Sequence, residues 1–180
     1  MKSPFKRLLL GLCFAFTLTV SAQESSVALT NLSASQEVTE SERYKVLFAA
    51  VKATELEDIL DKSGPFTIFA PSDAAFERFS NDKMEELINS KDKSELKSLL
   101  GYHIVAGQLS ASKILRALCQ GNGKTSFTTI QGKKLMAHMD GINIVLTDPM
   151  GNTARITVAD VSQENGIIHE IDSVIQPSQM

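Results

Sequence analysis

Tryptophan is absent from this chain, and tyrosine, cysteine and histidine occur two, two and three times in 180 residues. Each scarcity closes off a class of explanation. Cys13 sits inside an apolar run near the N-terminus, so beyond that run Cys119 stands alone and no intramolecular disulfide can form. The fold must therefore rest on packing, and a lone thiol in such a chain is expected to be buried. Apolar runs are short as well: Leu8 to Val20 gives 13 residues, against roughly 20 for a bilayer-spanning helix. Positive charge is in deficit. All 21 acidic residues lie beyond residue 22, whereas three of the 18 basic ones lie before it, which leaves a formal charge of −6 on the remainder. That balance argues against nucleic acid and anionic membrane surfaces as partners.

Catalytic motifs are missing too. Gly123-Lys124-Thr125 imitates the end of a phosphate-binding loop, but the position of that motif's first glycine holds Leu118. A loop beside a hairpin is the better reading. His169-Glu170 begins like a zinc-protease helix, yet Ser173 stands where the second histidine belongs. There is no Gly-x-Ser-x-Gly elbow and no Cys-x-x-Cys pair.

The N-terminus is patterned for export. Lys2, Lys6 and Arg7 precede the apolar run, and Val20-Ser21-Ala22 supplies the small residues of a cleavage site, so residues 1–22 read as a signal peptide. Residues 23–40 are polar and Ser-rich, which suits a flexible leader. From residue 41 to 177 one domain is expected, secreted to the periplasm or beyond, with no later apolar segment to insert in a membrane.

Within that domain the hydrophobic period changes. Tyr44, Leu47, Phe48 and Val51 fall at helical spacing, and Thr54-x-x-Glu57 is a capping-box pattern before Leu56, Ile59 and Leu60. Further helical signals lie around Leu87, Leu96 to Leu100, and Ile114 to Leu118. The second half alternates: Leu135, Ala137, Met139; then, after the Asp140-Gly141 turn, Ile142, Ile144, Leu146; then Ala154, Ile156, Val158. Helices followed by hairpin strands define an α+β class.

Two blocks are more specific. In Thr67-Ile-Phe-Ala-Pro-Ser-Asp-Ala-Ala-Phe76, Gly64-Pro65 turns the chain into a short apolar strand that Pro71 ends, and Ser72 or Asp73 can cap a helix starting near Ala74. In Asn165-Gly-Ile-Ile-His-Glu-Ile-Asp172, a turn dipeptide leads a strand with Ile167, His169 and Ile171 on one face. With Tyr102-His103-Ile104-Val105 between them, these blocks resemble the fasciclin-domain family over about Glu42 to Pro177. The resemblance implies a wedge-shaped β-sandwich of about seven strands with helices packed along one edge. It also places the strand Phe66 to Ala70 beside the last strand.

The residues of these blocks are expected to be structural. Thr67, Pro71, Asn165 and Gly166 shape the scaffold, Asp73 caps a helix N-terminus and Asp172 bonds nearby backbone. His103 clamps backbone groups as a neutral ring, and His169 lies in an apolar environment. His138 is expected to face solvent. No catalytic set, metal site or cofactor is expected.

By the same resemblance the chain is a non-enzymatic adhesion or interaction module for a protein, surface or matrix partner. Asp160-Val161 and Tyr102-His103 stand where relatives have been linked to receptor binding. A single copy would gain avidity from weak self-association. The alternative is a soluble carrier of a pigment or lipid, with Met136, Met139, Met150 and Phe127 lining an adaptable cavity.

Overall fold

A computed structural model describes residues 43–54, 56–79 and 81–178. The signal peptide and polar leader lie outside these residues. Five helices come first: α1 (Lys45–Ala53), α2 (Leu56–Lys62), then strand β1 (Phe66–Pro71), α3 (Asp73–Phe79), α4 (Asn81–Asn89) and α5 (Ser94–Tyr102). Strand β2 (Ile104–Ala106) and helix α6 (Ala111–Gln120) follow. The chain then becomes strands: β3 (Lys124–Thr128), β4 (Lys134–Asp140), β5 (Asn143–Thr147), β6 (Thr153–Gln163) and β7 (Gly166–Ile171).

The seven strands form one sheet in the order β2-β1-β7-β6-β5-β4-β3. This is the expected α+β fold. β1 and β7, far apart in sequence, run parallel in register from Phe66↔Gly166 to Pro71↔Ile171. The eleven-residue β6 joins the two halves, pairing with β5 at Thr153 to Arg155 and with β7 from Ile156 onward. The sheet folds back until its edges meet, where Val105 bridges Thr129 and the Ile130 N–H donates to the Ile104 carbonyl.

Two cores result. Between the sheet halves and α6, Phe69, Tyr102, Ile114, Leu118, Leu135, Leu146 and Ile171 are buried. The helices pack around a second cluster that includes Ala50, Phe76, Met84, Leu96 and Leu99. Each fully buried side chain of this size contributes about 1.5–3 kcal/mol relative to exposure.

Local readings changed in four places. Lys124–Thr128 is a strand, not a loop; its polar face is exposed, so little apolar alternation marks it. Ile142 is at the tip of the β4–β5 hairpin and 94 % exposed, because Gly141 (φ +59) and Ile142 form the two-residue turn. Thr54 is not an N-cap: its hydroxyl donates back to the Ala50 and Val51 carbonyls, closing the end of α1. Cys119 is exposed on α6, because Ile114 and Leu118 take that helix's buried face.

Candidate functional site

Because β1 and β7 are neighbours, the two signature blocks share one sheet face. Phe69 and His169 are register partners, and their rings stack with centroids 5.6 Å apart. Both side chains are fully buried. From this face, polar atoms reach the segment linking β2 to α6. The Thr67 hydroxyl donates to the Gly107 carbonyl (2.6 Å) and accepts from the Leu109 N–H (2.8 Å). His169 Nε2 donates to the Leu109 carbonyl at 2.7 Å. Its Nδ1 accepts from the Asp160 N–H at 3.2 Å. A backbone N–H can only donate and a carbonyl can only accept, so the ring carries its proton on Nε2.

Asp160 lies in the irregular part of β6, where the register slips between Val158 and Val161, and its φ is +63°. Asp is among the few residues that tolerate this left-handed conformation. The bulge turns its exposed carboxylate toward α6, where Oδ1 accepts from the Ala111 N–H at 2.8 Å. A carboxylate here complements the positive end of the helix dipole. Ser110 Oγ accepts from the Lys113 N–H beside it. Val161, half-buried, pairs with Ile168.

The other block residues hold separate joints. Asp73 does serve a helix N-terminus, but of a different helix: its oxygens accept from the Lys45 and Val46 N–H groups (3.2 and 3.0 Å) at the start of α1. Its own helix is begun by the Ser72 carbonyl, which accepts from Ala75 and Phe76. Asp172 Oδ1 accepts from the Arg155 N–H at 2.8 Å, while its own N–H donates to the Arg155 carbonyl. Pro71 ends β1 opposite Ile171. Asn165 Nδ2 donates to the Ser63 and Leu60 carbonyls. Gly166 is the first residue of β7 and not part of the turn, which is Glu164-Asn165. A Cβ there would stand 2.1 Å from the Phe66 carbonyl oxygen, so close approach requires glycine.

Tyr102 and His103 do not form a partner surface. Tyr102 is fully buried and donates to the Lys134 carbonyl at 2.8 Å. Burial, reinforced by the Asp148 carboxylate, pushes its phenol up to about 12. His103, 3 % exposed, donates from Nδ1 to the Leu99 carbonyl (2.8 Å) and accepts at Nε2 from the Ile175 N–H (3.3 Å). It thus has the opposite tautomer to His169. Burial lowers its pKa to about 4, against a smaller upward effect of the Leu99 bond. His138 is half-buried, with Nδ1 3.3 Å from the Thr147 hydroxyl.

Glu170 escaped the sequence reading. Although 6 % exposed, it accepts from Tyr44 Oη and Thr157 Oγ1 (both 2.8 Å) and pairs with Arg43 at 2.8 Å. Alternation would have placed it outside, and its partners are 13 or more positions away. Among the described residues, no buried side-chain nitrogen or oxygen lacks a hydrogen-bond partner, and no three His, Cys, Asp or Glu groups are placed to hold a metal ion.

The four residues suggested for a carrier cavity are dispersed. Met139 and Phe127 pack against the sheet core, whereas Met136 and Met150 are 44 % and 57 % exposed. They do not line one cavity.

The architecture and the blocks agree with the family comparison: residues 42–177 match the fasciclin domain, and the chain belongs to that family. It is similar to Protein sll1483 of Synechocystis sp., at 31% identity over 87% of this chain and 77% of that protein. Immunogenic protein MPB70 of Mycobacterium bovis is 33% identical over 64% of this chain and 51% of its own length. A solved FAS1 domain pair from the insect cell adhesion molecule Fasciclin I has the same fold, with a TM-score of 0.59 at 22% identity, covering 76% of this chain and 46% of the insect one. No helix among the described residues is long and apolar enough to cross a membrane.

Proposed function

We propose that this protein is a secreted, non-enzymatic interaction module that binds a protein or surface partner at the cell envelope, with Asp160 and Val161 at the contact. The observation that carries this reading is how Asp160 is held. Its backbone is fixed by His169, one carboxylate oxygen is fixed by Ala111, and the side chain remains exposed. Anchors held in place before binding lose little entropy on association. Val158, 37 % exposed, adds an apolar neighbour on the same strand. The catalytic alternative gains nothing from the block residues, because the polar atoms of Thr67, Asp73, His103 and His169 are spent on backbone groups. The insect protein of the same fold is a cell adhesion molecule, which favours adhesion over chemistry.

The test is chemical cross-linking of the tagged full chain to envelope fractions of its source organism, comparing wild type with Asp160→Asn. Asparagine keeps the left-handed backbone and the acceptor for Ala111 but removes the charge. A defined adduct that weakens at least fivefold in the variant, at unchanged melting temperature, supports the reading. An adduct indifferent to Asp160→Asn, or none at all, overturns it.

A further inference from the structure

On the side of β1 and β7 away from the Phe69–His169 stack, the helices do not fully cover the sheet. Ile68 and Ile168 are register partners on that side and only half-buried, whereas Phe69 and His169 next to them are fully enclosed. Of α1, Val46, Leu47 and Val51 pack against the helical cluster around Ala50 and Leu96, and Leu47, Phe48 and Val51 also face this side of the sheet. A hollow of about 130 Å3 remains, lined by residues that include Leu47, Phe48, Ile68, Ala70 and Ile168. A second of about 100 Å3 shares Leu60, Ile68 and Ile168 with it and extends to Gln163 and Asn165.

The chemistry of these two adjoining hollows, taken as one groove, is graded. In the inner hollow the polar groups of the lining are engaged elsewhere: Tyr44 Oη donates to Glu170, and both nitrogens of His103 bond main chain. An apolar hollow of this size has room for an apolar guest, as enclosed cavities near 150 Å3 accept benzene. The lining of the outer hollow includes Gln163 and Asn165, and the Asn165 amide nitrogen is taken by the Leu60 and Ser63 carbonyls. Beyond them, Lys62 and Glu164 offer opposite charges around the next depression, so a charged head gains little there. We propose that this groove is a binding site for a neutral single-chain amphiphile, its tail against Ile68, Ala70 and Ile168 and its hydroxyl or ester head at Gln163. This site is independent of Asp160, which acts through the opposite face of β7.

The experiment titrates 1-decanol into the full chain by calorimetry, with melting curves and intermolecular NOEs. Expected are one saturable site, a raised melting temperature, and NOEs from the decanol chain to the methyls of Ile68 and Ile168. Ala70→Leu and Ile68→Phe, which fill different parts of the groove, should each reduce affinity at least tenfold; the NOEs serve if either variant fails to fold. Ile142→Ser, which removes the most exposed apolar side chain of the hairpin tip, should bind like wild type. Absence of saturable binding, binding retained by both folded plug variants, or loss of binding in Ile142→Ser overturns the proposal. Binding seen only after Leu29→Ser and Leu32→Ser also overturns it, since the occupant is then the chain's own leader.

Discussion

The N–H of Asp160 donates to Nδ1 of His169 across the β6–β7 bulge, so a buried ring in one signature block sets the backbone of the exposed acid beside it. The same ring donates to Leu109 and stacks on Phe69. Thr67 completes the arrangement from β1 by holding Gly107 and Leu109. The two blocks therefore act as one clamp on the segment that leads into α6.

His169→Ala removes a fully buried ring, leaves a cavity beside Phe69 and orphans the Leu109 carbonyl and the Asp160 N–H. A destabilisation of about 3 kcal/mol is expected, from cavity and unsatisfied-group terms together. Urea unfolding measures it. A midpoint unchanged from wild type would contradict the structural role of this ring.

His103 gives the fold a pH dependence of defined sign. Its folded pKa is lowered by burial to about 4 from the ordinary histidine value of 6.5. Between those values the unfolded chain binds the extra proton and the folded one does not. The contribution is therefore fully present above about 6.5, is lost as pH falls, and is gone below about 4. A shift of this size corresponds to about 3 kcal/mol at most. Stability measured from pH 7 to pH 4 should fall less steeply in His103→Gln than in wild type. Parallel curves would show that the ring does not titrate this way.

Much of this was legible in the sequence, for physical reasons that differ by element. The strand ended by Pro71 and the apolar face of β7 announced themselves because local patterning and tertiary position agree there. Their adjacency came from the family resemblance, since nothing local encodes which distant strands meet, and their parallel direction is seen only in the structure. Tyr102 and His103 stand where that resemblance places a receptor contact, yet they are buried where α5 passes into β2, and His103 bonds the main chain of Leu99 and Ile175. Glu170 and Asp73 show the other limit. Their partners are set by how α1 lies over the sheet, which no short-range period reports.

Asp73 separates a scaffold acid from a reactive one. Its two oxygens satisfy the first N–H groups of α1, for which the N-cap residue Tyr44 provides no side-chain acceptor. Asp73→Ala should cost about 1 kcal/mol, the usual value of a lost helix cap. Asp73→Asn should recover most of it, because an amide oxygen still accepts. Hydrogen exchange should locate the loss at Lys45 and Val46, with α3 little affected since its first turn bonds the Ser72 carbonyl. Faster exchange confined to α3 would return Asp73 to the role of capping its own helix.

Glu170 tests whether charge or hydrogen bonding holds the start of α1 to the sheet. Glu170→Gln keeps an acceptor for Tyr44 or Thr157 but removes the charge opposite Arg43. Arg43 is 50% exposed, so solvent screens the pair and its charge is worth no more than about 1 kcal/mol. Glu170→Ala also strips the carboxylate acceptor from the half-buried Tyr44 hydroxyl, at about 1–3 kcal/mol, whereas the exposed Thr157 hydroxyl can turn to water. The expected order of melting temperatures is wild type, then Gln slightly lower, then Ala well below both. Equal losses in the two variants would mean that the ion pair with Arg43 carries the joint, and added salt should then lower wild type toward Glu170→Gln.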